Sequence, residues 1–555
     1  SRFIGNLSLQ AKPVEGLTLN YVLGFDNANS IGTAYIPPGN TTPSYTTGYA
    51  QRADLTTFLL NNDFNASYQT KIGDWLESTT GAGLTFQTEK NMSTNIKATQ
   101  MGYGGETVNN GVMVPAEFRS DMNIFGAFVQ QTFGIKEKLY ITGAARYDMS
   151  SAFGPDNRSQ FYPKLSGSYV VSNEPFWQNS KINDVVSNFK IRASYGQSGN
   201  LTALSPFDRY TLFNPVTVSG LNGIIVSNKL GNENIKPERQ EEFEIGTDLS
   251  LFKDRLGLEF SYYKKNVKDL LLNVNLTPSM GYSTQFVNVG TMTNKGMEVM
   301  LRAVPVLKEN LKWNVTAIYS HNKNVVNNVP GGILMYTAGF GQVAAVDGYP
   351  LGAFYATYFA RNEDGSIYHN AAGLPTTAKV GKDNNGVPTG ATLKKVIGDP
   401  NPDWTGSLIN EINVGSKWTF RAQLDAVIGQ DVFNFTRRVG DRDLYGGLAG
   451  YEPELRGEVP KGTSAALFSI MENWIEKGSF VKVREISASY NWARPNSKIK
   501  NIRFSLAGRN LFSFDNYSGW DPEVNAAGQN NAVRGFDFVE VPLPRQVILG
   551  VNLSF

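Results

Sequence analysis

Cysteine is absent from this chain, and histidine occurs only at His321 and His369. The first absence excludes disulfide frameworks and thiol chemistry. The second leaves almost no raw material for a histidine-based metal or catalytic site. No stretch reaches the roughly 18 to 20 uninterrupted apolar residues that a membrane helix needs, so a helical membrane protein is excluded. A net charge of +2 over 555 residues removes any electrostatic case for a nucleic-acid partner. The opening Ser1-Arg-Phe-Ile4 has no Met, no basic n-region and no apolar h-region, and reads as the start of a mature or internal fragment. Mean hydropathy is only −0.27. That does not count against a membrane barrel, in which lipid-facing and lumen-facing residues alternate and the signal per strand is weak.

What the chain does have is period-two alternation. In the last ten residues Val547, Leu549, Val551, Leu553 and Phe555 fall on alternate positions, with Gly550, Asn552 and Ser554 between them and Ile548 the one apolar exception. A strand with this period has one greasy and one polar face. An amphipathic edge strand of a soluble sheet has the same pattern, so the rest of the chain must decide. Phe243, Ile245, Thr247, Leu249 and Leu251 alternate with Glu244, Gly246, Asp248 and Ser250. After the tight Lys253–Asp254 corner, Leu256, Leu258, Phe260 and Tyr262 alternate with Gly257, Glu259 and Ser261. Similar runs start at Phe189 and Trp418. Charge on the second face of so many strands suits a watery interior better than a packed core.

Runs of this kind number about seventeen, each somewhat longer than the roughly 9 to 11 residues that cross a bilayer. Short corners at Lys12–Gly16, Lys71–Asp74, Ile135–Lys138, Lys253–Asp254, Val306–Asn310, Gly415–Lys417 and Arg494–Lys498 alternate with long connections. The long ones are Ser30–Arg52, Asn91–Ser120, Asn200–Pro237, Asn327–Asp403, Thr436–Gly478 and Ser513–Pro542. Transmembrane barrels show this alternation of periplasmic turns and extracellular loops; tandem β-sandwiches do not. Trp75, Trp313, Trp418 and Trp492 lie beside short corners and Trp177 within a medium one, as expected of an aromatic belt at one membrane interface. With the last strand descending to the periplasm at Phe555, every short corner falls on the periplasmic side. The run Arg2 to Gln10 then points downward, so at least one upward strand is expected before it, and the chain is not expected to close a barrel alone.

Several segments add a resemblance. They are Leu230-Gly-Asn-Glu-Asn-Ile-Lys-Pro-Glu238, Asn288-Val-Gly290 with Asn294-Lys-Gly-Met-Glu298, Gly348-Tyr-Pro-Leu-Gly-Ala-Phe-Tyr355, Gly398-Asp-Pro-Asn-Pro-Asp403, Gly478-Ser-Phe-Val-Lys-Val-Arg-Glu485 and Gly508-Arg-Asn-Leu-Phe512. In this order the chain resembles the C-terminal half to two-thirds of a SusC/RagA-like TonB-dependent transporter of Bacteroidota. The resemblance implies an all-β fold: a transmembrane antiparallel β-barrel of about 22 strands with a plugged lumen, of which about 17 are present here. It places residues 1–555 in the C-terminal part of that barrel, and it implies a plug, a TonB-contacting segment and first strands outside this chain.

The motifs themselves read mostly as structure. Gly398-Asp-Pro-Asn-Pro-Asp403 is a rigid turn, since proline fixes φ and Asp and Asn cap their own backbone. A metal site on Asp399 and Asp403 is the weaker reading. Asp383-Asn-Asn-Gly386 and Asn362-Glu-Asp-Gly365 lack the spacing and distal glutamate of a calcium loop and read as turn tips. Thr463 to Glu476 places Ala466, Leu467, Ile470, Met471, Trp474 and Ile475 at helical spacing, which predicts a short helix packed on neighbouring loops. There is no phosphate-binding glycine loop, nucleophile elbow or His pair at metal spacing, so no catalytic residue, metal or cofactor is assigned and no enzyme is expected.

Two functions from different classes remain. One is outer-membrane import of oligosaccharides or peptides, energised through TonB; the other is a surface-assembly or secretion-associated barrel whose long loops dock proteins. The resemblance implies a SusD-like lipoprotein partner, TonB contact through the region upstream, and a setting among membrane lipid and lipopolysaccharide, and it favours glycan over peptide as cargo. Tyr336, Phe340, Tyr349, Phe354, Tyr355, Tyr358, Phe359 and Tyr368 share one long connection, and Trp520, Phe536 and Phe538 lie in the last. Exposed loop aromatics bury large area at low entropy cost, against sugar rings or a protein. These two loops are expected mainly to hold the partner, with Tyr336, Phe340 and Trp520 the expected substrate contacts.

Overall fold

A computed structural model describes residues 1–202, 204–218, 220–335, 342–441, 451–494, 498–528 and 533–555. Seventeen strands form one antiparallel sheet, as many as the alternation predicts. In chain order they are β1 Arg2–Ala11, β2 Leu17–Ile36, β3 Tyr49–Ile72, β4 Leu76–Thr99, β5 Val112–Ile135, β6 Leu139–Ser150, β7 Ser159–Val170, β8 Val186–Asn200 and β9 Glu238–Leu251. There follow β10 Leu256–Lys268, β11 Thr291–Lys308, β12 Leu311–Asn327, β13 Trp404–Val414, β14 Trp418–Ile428, β15 Phe480–Ala493, β16 Asn501–Asp515 and β17 Gln546–Ser554. No helix among the described residues is long and apolar enough to cross a membrane. Two compact units divide the chain: Ser1–Tyr169 with Ser194–Glu241 and Val267–Val289, and Val170–Ala193 with Glu242–Asn266 and Gly290–Phe555.

In the first unit β1 to β7 pair in sequence as a meander. Directly opposed residues of antiparallel strands point to the same face, so register defines rows across the wall. Leu9, Tyr21, Phe64, Leu84, Ala127, Tyr147 and Phe161 form one row. One residue along, Ser8, Val22, Asp63, Thr85, Gly126, Asp148 and Gln160 form a row that is polar but for Val22 and Gly126. The greasy row lies on the surface: Phe64, Leu84, Tyr147 and Phe161 are all exposed. Phe128 is an aromatic on the polar face, and it lies over Gly83, where a Cβ would come within 2.4 Å of the ring.

The second unit repeats the pattern from β11 through β17. Val306, Trp313, Ile412, Phe420, Ala488, Leu506 and Leu549 form an apolar row. Lys312, Asn413, Thr419, Ser489, Ser505 and Gly550 form the neighbouring polar one. Val547, Leu549, Val551 and Leu553 sit on the apolar face, opposite Gly508, Leu506, Phe504 and Ile502; Asn552 and Ser554 share the other face with Arg503 and Asn501. Ion pairs run along that polar face, including Arg421 to Glu485 at 2.8 Å and Arg509 to Glu485 at 3.1 Å. A soluble protein rarely leaves so continuous an apolar surface uncovered.

Short and long connections alternate along the strand order except around β7, where residues 171–185, with the helix Pro175–Gln178, take the medium place that Trp177 marked and form a longer connection than residues 151–158 before them. Two expected loops are shorter than the pattern suggested. Strands β3, β4 and β5 are 24 residues each, so the connections shrink from Ser30–Arg52 to 37–48 and from Asn91–Ser120 to 100–111. The added segments pair residues such as Thr33 with Arg52 and Ala53 with Asn95. Both faces of such a hairpin extension suit water, so the period-two hydrophobic signal vanishes while the ladder continues. The expected helix is also shorter, spanning Thr463–Ser469 and giving way to a 3-10 turn at Met471–Trp474.

Candidate functional site

In each unit a buried cluster is built mainly from the long connections. In the first, Ala152 and Phe153 pack with Leu204, Ile235 and Met122. In the second, three long connections meet. Residues 429–479 contribute a strand at Asp431–Asn434, which pairs antiparallel with Ile475–Lys477 and parallel with Phe536–Asp537 of the last connection. Residues 328–403 contribute the short strands Val343–Val346 and Ala353–Thr357. Val343, Phe354, Phe433, Trp474, Val533 and Phe536 close the cluster. Phe433 and Phe536 stack with centroids 5.2 Å apart. Leu467, Met471 and Ile475 lay the apolar side of the short helical segment on it, as the spacing predicted.

Hydrogen bonds then fix the last connection to this core. The Glu476 carboxylate accepts from the Ser518 N–H at 2.9 Å and hydroxyl at 2.7 Å. Burial pushes the Glu476 carboxyl up, but Ser518, Asn434 and Arg437 outweigh it and hold the group below its ordinary range. The Tyr517 hydroxyl donates to Asp537 at 2.6 Å, and burial followed by that carboxylate raises its pKa. Lys482 of β15, with only 4% of its surface exposed, donates to Asp521 at 2.6 Å and Glu523 at 2.8 Å. Arg484 reaches Glu523 and, at 2.8 Å, Asp425. A register shift between Val483 and Glu485 makes Arg484 the extra residue of a bulge, the device that re-aims a side chain out of the ladder. Burial raises the Glu523 pKa, yet Arg484 and Lys482 bring it below the usual glutamate value.

Trp520 lies between these anchors, two residues after Ser518 and one before Asp521, and is 82% exposed. The turn beneath it is tight: a Cβ at Gly519 would come within 2.4 Å of the Tyr517 ring. An open indole on an anchored backbone can stack on an apolar ligand face or anchor a partner, because it offers a large apolar area with only two rotatable bonds. Tyr336 and Phe340 lie outside the described residues. Of the other loop aromatics, Tyr349 faces out, Phe354 and Phe536 go into the loop core, and Phe359 is buried. The Asp399 carboxylate accepts from the Asn401 N–H and side-chain amide at 2.9 and 2.8 Å, a self-capped turn; burial first, then nearby Asp431 and Asp403, raise its pKa. Asp383 caps the N–H groups of Asn385 and Val387 in the same way. Sequence reasoning missed the anchors Lys482, Glu476, Asp521 and Glu523. The one available signal was the charge in Gly478–Glu485, where Lys482, Arg484 and Glu485 crowd into four residues of a strand.

Residues 4–511 match the family model "TonB dependent receptor-like, beta-barrel", so the chain belongs to that family. Among curated relatives, TonB-dependent receptor P26 of Formosa agariphila is 28% identical over 532 residues, covering 89% of this chain and 53% of the relative. TonB-dependent receptor SusC of Bacteroides thetaiotaomicron is 23% identical over 453 residues, 77% of this chain and 43% of SusC. The solved structure of the RagAB peptide transporter superposes with a TM-score of 0.79 at 20% identity, over 100% of this chain and 62% of that one. The chain is therefore a SusC-like TonB-dependent receptor barrel of the outer membrane, and it spans about half the length of the curated relatives it matches.

Proposed function

We propose that the protein imports oligosaccharides or peptides across the outer membrane, drawing energy through TonB and working with a SusD-like surface lipoprotein. The family match over residues 4–511 carries this reading. The names of its relatives support the details: SusC among the curated proteins, and a peptide transporter, RagAB, among the solved structures. The relatives are receptors by name, and we read the chain as a non-enzyme without catalytic residue, metal or cofactor. Residues 1–555 are then the C-terminal barrel portion; the plug, the TonB-contacting segment and the first strands belong to sequence outside it, in keeping with relatives about twice as long.

In this reading the connections 328–403 and 516–545 hold the lipoprotein, and Tyr336, Phe340 and Trp520 touch cargo. The anchored turn and its open indole support the role of Trp520. Deleting the two loop tips from the full-length protein is expected to abolish both co-purification of the lipoprotein and uptake of labelled oligosaccharide or peptide. Retention of both activities rules the reading out.

A further inference from the structure

We propose that the apolar face of the first unit carries a slot for one hydrocarbon chain of a membrane lipid. Most of that face is paved with large side chains, but at one place Ala66, Ala82, Ala127 and Ala145 form a floor beneath Phe64, Leu84, Tyr147 and Phe161. The depression has a volume of about 480 Å³, within the range of roughly 300 to 1,000 Å³ typical of small-molecule sites. Its construction follows from register. Ala66 faces Ala82, which leads through Val129 to Ala145 in one row. The bordering row runs Phe64, Leu84, Ala127, Tyr147, Phe161, and Ala127 opens a gap in it. The two rows lie two residues apart, or about 7 Å at roughly 3.4 Å per residue.

The membrane setting decides the occupant. This face is continuous with the lipid-facing wall of an outer-membrane barrel, where no water is at hand to fill a recess. An empty recess between rigid rings leaves its lining without dispersion partners, and a flexible unbranched chain supplies them. The same construction recurs independently in the second unit. There Ala422, Ala488 and Gly508 floor a depression of about 460 Å³ among Ile412, Phe420, Ile486, Leu506 and Val547. The inference rests on outer-membrane location and not on import, so its failure leaves the import reading intact.

The test uses the full-length protein reconstituted in vesicles containing phosphatidylethanolamine with a photoactivatable diazirine midway along one acyl chain. Adducts mapped by peptide mass spectrometry are expected to concentrate on Leu84, Tyr147 and Phe161, severalfold above Leu7 and Leu9, which are exposed on the same face outside the slot. Filling the slot with Ala82→Phe and Ala145→Phe is expected to reduce those adducts to the Leu9 level while the barrel keeps its heat-modifiable mobility. If that double variant fails to assemble, Ala127→Leu is scored in the same way. Even labelling across the wall, or labelling unchanged in an assembled filled variant, overturns the proposal.

Discussion

In the barrel wall Leu549 is 80% exposed and Val547 75%, while in the loop cluster of the same unit Phe433 is 0% and Phe536 1% exposed. Both regions are rich in large apolar side chains, yet they satisfy burial in opposite ways. The loops converge three connections onto one another and stack Phe433 on Phe536. The wall is a single layer whose apolar rows have no protein across from them, so lipid completes the burial that a second layer provides in soluble folds. Polar groups differ too. Along the wall they line one face in ion pairs such as Arg421 with Glu485, whereas Lys482, where β15 meets the loops, is almost completely enclosed between Asp521 and Glu523 of the last connection. Apolar content thus identifies neither region; the partner of each apolar surface does.

The largest expected effect is Phe433→Ala, which empties the centre of the loop core and costs about 3–5 kcal/mol. Limited proteolysis should show the connections 429–479 and 516–545 becoming cleavable while the barrel stays heat-modifiable. A cleavage pattern like the wild type's would mean that the loop cluster does not depend on this core. Next comes the wall. Val551→Arg places charge among lipid at a cost of about 2–4 kcal/mol near the midplane, and Asn552→Arg, one residue away on the polar face, costs far less. Quantifying assembled barrel for the two variants checks this, and equal yields break the contrast.

A smaller effect concerns pH. The folded pKa values of Glu476 and Glu523 lie below the ordinary 4.5. Their contribution is therefore complete above 4.5 and is lost as pH falls below it toward the folded values. Protease cleavage near Ser518 and Glu523 should rise in that acid window and stay flat between about pH 6 and 8. Loosening at neutral pH would contradict the assignment of these carboxylates as anchors. Smallest for stability is Trp520→Ala, within about 0.5 kcal/mol because its ring is exposed. It is nevertheless expected to weaken capture of cargo, measured as uptake at limiting substrate.

Much of the wall was legible because period two is written into strands such as Phe243–Leu251 and Val547–Phe555. The hairpin extensions at Ser30–Ile36 and Asn91–Thr99 were not, since strands wet on both faces have no apolar period to read. The loop core was half visible: Trp474 and Met471 stood out at helical spacing, but their packing in one cluster with Phe536 joins positions some sixty residues apart and depends on the fold. The anchors below Trp520 were hidden for the same reason. Lys482 and Asp521 become a pair only once β15 and the last connection are side by side.

The absence of cysteine from residues 1–555 permits a direct test of the claim that the two faces of the wall meet different solvents, with any cysteine outside these residues first replaced by serine. Single cysteines placed in turn from Val547 to Ser554 of the full-length protein, in intact outer membranes, can be probed with a water-soluble maleimide. Positions 547, 549, 551 and 553 are expected to resist labelling while 552 and 554 react. Labelling without alternation, or alternation of the opposite phase, would contradict it.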